Sequence, residues 1–369
     1  MKKILSLFAL LTLFTTVLAA CNKGTAPNRE TESRGTVANT ANNNTTAAPS
    51  NEQSPSKKEK SIDLYIIAGQ SNATGYTQYD RTTLSSLWRK YRTGVETVIY
   101  SGRAESTVNG QTAVNEVEGW TAAKAGLGRT VSCMGAEVGM AKVLSEEYYN
   151  EQNSAGTIAG IIKFAHGGTS LLNNTQGENA ASGNWVSPSY AAHKNIRYTG
   201  LTGGLYRGLL DQVENSVGKL KEMGYTQINI RGVFWMQGEG DKASPGEYKT
   251  AFKYFASDLR QDLGKLMKTD LSSLPIMIGE ISKTSGGADS TTVSKNETFI
   301  AMQRRLAIEI PNTYIIPSGQ YEITHWDAST GTSTNKQDAW HWTTAEMFAI
   351  GELVGQCIIE KILNTAVSP

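Results

Sequence analysis

The chain has 369 residues, 39% of them hydrophobic, and its 35 basic and 34 acidic residues leave a formal net charge of +1. There is no basic patch, which argues against nucleic acid as a partner. The sequence contains no CxxC or HExxH pair and no glycine-rich phosphate loop, so we expect no metal and no nucleotide cofactor.

The first 20 residues predict a secretory signal peptide. Lys2 and Lys3 precede a short apolar stretch at residues 4–18, and small residues lead up to Cys21. This stretch is shorter than the about 20 residues that a membrane-spanning helix needs. Its end resembles the lipobox of bacterial lipoproteins, which implies that Cys21 is acylated and anchors the protein in the bacterial cell envelope. The leaflet, periplasmic or cell-surface, stays open, and the alternative is an ordinary signal peptide cut near Ala20.

Residues 21–60 predict the acylated cysteine followed by a disordered tether. Residues 22–60 are rich in Asn, Thr, Ala and Ser and contain almost no large apolar side chains. Such a segment cannot bury enough surface to offset the entropy of ordering. As a flexible coil it has a mean reach on the order of 35 Å. Residues 61–369 remain as one predicted domain.

This domain alternates between predicted strands and predicted helices. Continuous apolar runs predict strands at residues 64–68, 157–165, 228–236, 275–281 and 313–316. Helical patterns lie at about 135–149, 204–223, 247–268, 294–309 and 343–363. Continuous runs are typical of a sheet buried on both faces, and the alternation predicts a mainly parallel sheet covered by helices. The polar regions 76–130 and 170–200 show little periodicity and are predicted to be long functional loops.

Three side chains carry the parts of a nucleophilic hydrolase. Ser71 directly follows the first predicted strand, which places it at the carboxyl edge of the sheet. Asp338 and His341 precede the last predicted helix, whose start matches a capping box of Thr343 and Glu346. The positive end of a helix favours the neutral imidazole that a general base requires. Serine, histidine and aspartate together predict acyl transfer.

Five sequence blocks in order resemble those of the SGNH hydrolases, in the branch of sialate O-acetylesterases and carbohydrate esterase family 6 acetyl esterases. The blocks are Gly-Gln-Ser-Asn at 69–72, Gly-Ala-Glu at 135–137, Gly-Gly-Thr-Ser at 167–170, Trp-Met-Gln-Gly-Glu-Gly-Asp at 235–241 and Asp-x-x-His at 338–341. The resemblance covers about residues 61 to 363. It implies a three-layer α/β/α fold of flavodoxin-like type and a serine esterase that removes O-acetyl groups from a carbohydrate, either sialate or a polysaccharide, without a cofactor.

The same resemblance implies a role for each matching residue. Ser71 would be the nucleophile that carries the acyl group, His341 the base and Asp338 the group that orients it. The oxyanion would rest on the backbone N–H groups of Ser71 and Gly168 and on the side-chain amide of Gln237. The residues expected to support the site are Gln70, Asn72 and Glu239. The candidate substrate contacts are Trp185, Trp340, Trp342 and His166.

Two departures from the family pattern concern the site. Ala136 stands where the family often has proline, and Trp340 and Trp342 flank the histidine where smaller residues are common. The lipase elbow Gly-x-Ser-x-Gly is absent, which argues against an α/β-hydrolase lipase.

Other interpretations of the same residues stay open at this point. Ser71 is also a plausible helix cap. The rival bases are His166 and His325, and the rival orienting groups are Asp241 and Asp327.

Two other functions are compatible with the same sequence. Glu239 with Asp241 resembles a glycosidase pair of carboxylates, which predicts a glycoside hydrolase that uses Glu239. A catalytically weak glycan-binding lipoprotein is a further alternative. The sequence does not decide whether Cys133 and Cys357 form a disulfide.

Overall fold

The computed structural model describes residues 59–78, 91–108, 111–152, 156–173, 183–323, 326–327, 332–333 and 338–364. The predicted signal peptide, Cys21 and almost all of the tether lie outside the described residues, as does His325. No helix among the described residues is both long and apolar enough to cross a membrane.

A seven-stranded sheet forms the centre of the fold. Its strands are β1 Lys60–Gly69, β3 Val95–Val108, β4 Gln111–Ala123, β6 Thr157–His166, β7 Tyr225–Met236, β8 Ile276–Gly279 and β9 Thr313–Ile316. Their spatial order is β4-β3-β6-β1-β7-β8-β9. All neighbouring pairs are parallel except β3 and β4. Two small antiparallel pairs are added, β2 Thr77–Gln78 with β5 Cys133–Met134 and β10 Trp326–Asp327 with β11 Thr332–Ser333.

Helices cover both faces of this sheet. They are α1 Ser71–Thr74, α2 Glu137–Leu144, α3 Pro188–His193, α4 Gly204–Glu222, α5 Pro245–Met267, α6 Ser290–Glu309 and α7 Thr344–Ile358. Helix α2 continues as a π-helical turn, Ser145–Tyr149, and a short helix, Asn150–Gln152. Helix α7 likewise continues as Ile359–Leu363.

The apolar run of β1 shows why the sheet is buried on both sides. Leu64 and Ile66 pack into a core with α4, α5 and α6. Tyr65 and Ile67 pack into a separate core with α2 and α7. Successive side chains of a strand point to opposite faces, so a strand between two helical layers is apolar throughout. The three-layer α/β/α fold expected from the sequence is confirmed.

Helices α2 and α7 touch through their backbones. A Cβ atom added to Gly139 would lie 2.0 Å from the carbonyl oxygen of Phe348, and one added to Gly351 would lie 2.2 Å from that of Ala136. Only glycine at these two positions permits so close an approach. The contact fixes α7, and with it the turn that precedes it, against the rest of the domain.

The prediction of an irregular loop across residues 76–130 is wrong, because β3 and β4 form a long antiparallel hairpin there. Strand β4 is the edge of the sheet, and its residues alternate between exposed and partly buried positions. A half-exposed edge strand needs no apolar run, so the polar sequence of β4 does not reveal the strand. The region 170–200 likewise contains α3, although residues 174–182 lie outside the description.

At β1 the order in which the strands are added switches from one side of the sheet to the other. Strand β6 lies on one side of β1 and β7 on the other, and Gly69 is paired with Ala165 and with Met236. The segments that leave these three strands therefore emerge side by side. In open α/β sheets such a switch point is where ligands bind.

Candidate active site

The turn after β1 presents Ser71. Gly69 has φ +140°, and a Cβ atom on it would lie 2.1 Å from the carbonyl oxygen of Met236, so only glycine fits. The Gln70 N–H donates to that same oxygen at 3.0 Å. Helix α1 then begins at Ser71, and its N-cap is Gln70. The interpretation of Ser71 as a helix cap is therefore wrong, since Ser71 is the first helical residue.

Asp338 holds His341 by one edge of its ring. The Nδ1 atom of His341 lies 2.7 Å from Oδ2 of Asp338. The other oxygen, Oδ1, accepts the backbone N–H groups of Trp340 at 2.8 Å and of His341 at 3.0 Å. Burial acts to raise the pKa of Asp338, but the bond to His341, its charge and the two N–H donors outweigh it and hold the pKa below its ordinary value. The carboxylate is thus ionised at neutral pH.

The capping box at the start of α7 fixes the turn that carries His341. The Thr343 N–H donates to Oε2 of Glu346 at 2.9 Å, and the Thr343 hydroxyl accepts from the Glu346 N–H. The prediction of this box is confirmed. It places the histidine two residues before the N-cap of a 15-residue helix.

The other edge of the His341 ring is left without a partner. The ring stacks on Tyr76 with centroids 4.5 Å apart and planes 18° apart. Its Nε2 atom is buried and, among the described residues, has no hydrogen-bond partner. A buried polar atom without a partner is costly and calls for an explanation. A neutral ring whose proton is on Nδ1 has a free lone pair on Nε2, which can accept a proton.

Ser71 and His341 line one cavity of about 480 Å³. The other residues that line it are Gln70, Tyr76, Gly167, Gly168, Glu239, Gly240 and Trp340. They come from the ends of β1, β6 and β7 and from the turn before α7. The volume is in the range of small-ligand sites. His341 Nε2 makes no hydrogen bond to Ser71 here, and such catalytic bonds often tighten only in the substrate complex.

Ser71 and Gly168, whose backbone N–H groups are the expected oxyanion donors, both line the cavity. The Ser71 N–H is at the N-terminus of α1, where helical N–H groups have no partner within the helix. Gly168 lies in the left-handed region, with φ +67°, which turns its peptide unit after β6. Both residues line the cavity. Their arrangement supports the expected oxyanion donors.

The expectation for Gln237 needs correction. Its Nε2 atom lies 2.7 Å from Asp241 Oδ2, 3.1 Å from the Thr169 carbonyl oxygen and 3.2 Å from Gln70 Oε1. An amide nitrogen has only two hydrogens, and these three internal acceptors occupy them. Gln237 is buried and does not line the cavity. Its amide holds the loop after β7 and has no hydrogen left for an oxyanion.

Gln70 and Asn72 tie the turn that carries Ser71 to its neighbours. Oε1 of Gln70 accepts the backbone N–H of Gly240 at 3.1 Å. The Asn72 amide donates to Glu239 Oε1 at 2.8 Å and to the Trp340 carbonyl oxygen at 3.2 Å. The first block therefore fastens both the loop after β7 and the turn that carries His341.

The two carboxylates of the fourth block face different surroundings. Asp241 accepts from the Ser170 hydroxyl and from the Leu171 N–H at 2.8 Å, and it does not line the cavity. Glu239 lines the cavity and is held by Asn72. Burial raises the pKa of both carboxyls, although their hydrogen bonds oppose the shift. Among the described residues, no two carboxylates face each other at the cavity.

Of the four candidate substrate contacts, only Trp340 lines the cavity. Its side chain is 44% exposed, and the Lys242 ammonium lies 5.0 Å from its ring. Trp185 and Trp342 are fully buried, so the expectation that they contact a sugar is wrong. The Trp185 indole donates to Thr169 Oγ1 at 2.9 Å, and that of Trp342 donates to a backbone carbonyl at 2.9 Å. Both support the loops from inside the core.

His166 is also buried, beneath the loop after β6. Its Nδ1 atom lies 2.8 Å from Glu105 Oε2 on the neighbouring strand β3. It does not line the cavity, so neither its proposed substrate contact nor its rival role as base is supported. The side chains of the other rivals, His325 and Asp327, lie outside the description.

Tyr76 is a cavity residue that no sequence pattern indicated. It lies outside all five blocks and is recognised only by its stacking on His341.

Cys133 and Cys357 are both free thiols. Among the described residues, no group of three or more His, Cys, Asp or Glu side chains is placed to hold a metal ion.

Comparisons with known proteins concern the fold and the family of this chain. A search of solved structures finds a protein from Arabidopsis thaliana with 17% identity and a TM-score of 0.50, covering 81% of this chain and 98% of that one. It also finds NanS, with 16% identity and a TM-score of 0.51, covering 84% and 99%. A carbohydrate acetylesterase from Xanthomonas citri has 18% identity and a TM-score of 0.47, covering 82% and 56%.

At these identities the likeness to NanS and to the Arabidopsis protein supports the fold alone. A comparison with curated proteins gives no match. A family described as carbohydrate esterase, sialic acid-specific acetylesterase, matches residues 61–360, most of the chain. The chain belongs to this family of carboxylic ester hydrolases, and the family resemblance expected from its five blocks is confirmed.

Proposed function

We propose that this protein is a serine esterase that removes O-acetyl groups from a carbohydrate through an acyl-enzyme on Ser71. The observation that carries the proposal is the His341 ring. Asp338 binds its Nδ1 atom at 2.7 Å, and its Nε2 atom is buried without a partner beside the cavity that Ser71 also lines. A general base held in one tautomer next to a serine is the arrangement that activates a hydroxyl nucleophile.

The reaction follows from these positions. The Ser71 hydroxyl oxygen attacks the acetyl carbonyl carbon while His341 Nε2 accepts the hydroxyl proton. The carbonyl oxygen takes up the negative charge and is stabilised by the N–H groups of Ser71 and Gly168. The intermediate collapses, the sugar alkoxide leaves with the proton from His341, and acetyl remains on Ser71. A water molecule, deprotonated by His341, then repeats the sequence and releases acetate.

Asp338 acts through the histidine in both halves of the reaction. Its carboxylate keeps the proton of the neutral ring on Nδ1, which leaves Nε2 free to accept the proton of Ser71. When the ring becomes positively charged, the ionised carboxylate stabilises it. The lowered pKa of Asp338 keeps it ionised throughout.

The carbohydrate substrate is supported by the family match and by the rim of the cavity. Trp340 offers a partly exposed aromatic ring at the edge of the cavity. Aromatic rings are suited to the apolar faces of sugar rings. Sialate and acetylated polysaccharides both fit these features.

The test is acetate release from 4-nitrophenyl acetate and from acetylated sugars by the purified protein. Ser71→Ala is expected to lose several orders of magnitude in kcat. A matched control is Ser132→Ala, since Ser132 is exposed and does not line the cavity. Equal rates in wild type and Ser71→Ala would refute the mechanism. Binding of acetylated sugars without any turnover would instead favour the glycan-binding alternative.

The glycoside hydrolase alternative has less support. Glu239 is the only carboxylate among the described residues that line the cavity, whereas a glycosidase uses two. Glu239→Gln separates the two functions, because it would abolish glycoside hydrolysis while Ser71→Ala would not. In the esterase proposed here the dependence is reversed.

We also propose, from the sequence alone, that Cys21 is acylated and anchors the protein in a bacterial cell envelope. In a bacterial host, Cys21→Ser is expected to move the protein from the membrane fraction to the soluble fraction and to abolish incorporation of labelled fatty acid. Unchanged fractionation and labelling would contradict the anchor.

A further inference from the structure

A fully buried lysine lies beneath the nucleophile helix. Lys163 is on β6, and its side chain and that of Glu137, at the start of α2, are both 0% exposed. The Lys163 Nζ atom lies 2.7 Å from Glu137 Oε2. Burial lowers the pKa of Lys163, and the Glu137 carboxylate opposes this shift. A charge in such a place is tolerated only when it is paired and hydrogen-bonded.

The ammonium group joins three separate segments. Besides its ion pair with Glu137, it donates to the backbone carbonyl oxygens of Leu127 at 3.0 Å and of Thr74 at 3.3 Å. One carboxylate and two carbonyl oxygens thereby surround the ammonium group. The second Glu137 oxygen, Oε1, accepts the N–H of Gly135 at 2.8 Å. The Gly-Ala-Glu block, which has no place in the chemistry above, is therefore built around this ion pair.

One of the three segments is the helix that carries the nucleophile. Thr74 is the last residue of α1, and Ser71 is the first. The Gly75 N–H donates to the Ser71 carbonyl oxygen at 2.9 Å, so the helix is a single turn. A single turn does not hold its own shape in water, and its position depends on what surrounds it.

The end of this turn is closely confined. A Cβ atom on Gly75 would lie 2.6 Å from the backbone nitrogen of Gly135, and one on Gly128 would lie 2.3 Å from the Gly75 carbonyl oxygen. Lys163 contacts the loop at residues 127–135 through the Leu127 carbonyl oxygen, and it pairs with Glu137 just after that loop. The ion pair thus lies where β6, the loop at 127–135 and α1 meet.

We propose that Lys163 and Glu137 are positioning residues that set the place of Ser71 through the carbonyl oxygen of Thr74; this rests on the proposed role of Ser71 as nucleophile. They touch neither substrate nor reacting atoms. Misplacing a reacting group by about 1 Å can cost about 10²-fold in rate. Loss of the link is therefore expected to lower kcat and leave KM nearly unchanged.

The test uses the full chain with Lys163→Met, Glu137→Gln and the double variant. Two quantities are measured, kcat and KM on 4-nitrophenyl acetate and the rate at which a fluorophosphonate labels Ser71, located by mass spectrometry. Lys163→Met is expected to lower kcat and the labelling rate at least tenfold, with KM within threefold. Glu137→Gln keeps an acceptor for the Gly135 N–H, so it is expected to fold and to lose at least threefold.

The double variant separates a shared link from two independent effects. If Glu137 acts through Lys163, the double variant loses no more rate than Lys163→Met alone. The control is Arg231→Met, which removes the partner of the buried Asp63, 2.8 Å away, in a network remote from the cavity. It is expected to lower the melting temperature without changing the labelling rate of the folded protein.

Each outcome bears on one statement. Lys163→Met or Glu137→Gln that folds and labels within twofold of wild type overturns the positioning role alone. The same loss of labelling in Arg231→Met overturns it too, because the effect would then be general destabilisation. Wild type that hydrolyses ester but is not labelled at Ser71 overturns the proposed function, and the positioning role with it.

Discussion

Replacing Asp338 by asparagine tests the catalytic arrangement at a single atom. Oδ1 of Asp338 accepts two backbone N–H groups, and Oδ2 faces His341. In Asp338→Asn the amide oxygen stays with the two N–H donors, since turning it away would forfeit two hydrogen bonds, about 1–3 kcal/mol together. The amide NH₂ then faces Nδ1 of His341. Because NH₂ only donates, the ring must carry its proton on Nε2, the atom that has to accept a proton from Ser71.

The expected loss in kcat is about 10⁴-fold, as for the wrong histidine tautomer in other serine hydrolases. At about 1.36 kcal/mol per tenfold, this is about 5.4 kcal/mol of transition-state stabilisation. The assay is hydrolysis of 4-nitrophenyl acetate at neutral pH, with thermal unfolding measured in parallel. The melting temperature is expected to change little, because the variant keeps both backbone hydrogen bonds.

A matched control exists at the start of α6. Oδ1 of Asp289 also accepts two backbone N–H groups, those of Thr291 at 3.1 Å and Thr292 at 3.0 Å, but it has no histidine partner. Asp289→Asn is expected to keep full activity. A loss of less than tenfold in a well-folded Asp338→Asn would refute the assignment of Asp338 as the residue that orients His341.

Three further predictions concern Gly69 in the turn before Ser71, Glu239 at the cavity and Trp340 at its rim. Gly69→Ala would place a Cβ atom 2.1 Å from the Met236 carbonyl oxygen at φ +140°, and it should lower the free energy of unfolding by at least about 1–3 kcal/mol. Gly218 in α4 has open space around it, so Gly218→Ala should raise the free energy of unfolding by up to about 1 kcal/mol. Both are measured by urea titration. Burial raises the pKa of Glu239, so folding favours the protonated carboxyl. As the pH rises from 4.5, the ordinary pKa of a glutamate, through the raised pKa in the folded protein, wild type should lose stability relative to Glu239→Gln. A stability difference that does not change with pH would contradict this. Trp340→Ala should raise KM for an acetylated sugar about three- to tenfold and leave kcat on 4-nitrophenyl acetate unchanged; an unchanged KM would remove Trp340 from the sugar site.

The parallel half of the fold was predictable because its strands are covered on both sides. Where β1 and β7 lie between the two helical layers their residues are apolar, and this run is visible in the sequence. The hairpin of β3 and β4 was not predictable in the same way. Its outer strand is exposed along one face, so its sequence reads like a polar loop.

The candidate site divides along a similar line. Ser71, Asp338 and His341 belong to short blocks whose spacing reflects a turn or a helix start, and the structure brings Ser71 and His341 to one cavity. Contacts between distant blocks have no local signature. The three acceptors around Gln237 come from three different segments, and the sequence does not show that they exhaust its amide.

The ion pair of Lys163 is another contact between distant segments that the sequence does not reveal. Lys163 interrupts an apolar run that otherwise reads as an ordinary buried strand, and Glu137 lies in a block with no evident chemistry. Only the folded structure pairs them. An isolated charge within an apolar strand therefore indicates that a residue of opposite charge, distant in sequence, pairs with it in the fold.

The backbone contact of α2 with α7 also orders events during biosynthesis. The histidine is carried by the turn before α7, and α7 is seated only when Gly351 reaches the backbone of Ala136. A ribosome makes Ser71 long before it makes His341, so the emerging chain holds the proposed nucleophile without its proposed base. Esterase activity is therefore expected only after α7 has been synthesised and has packed against α2.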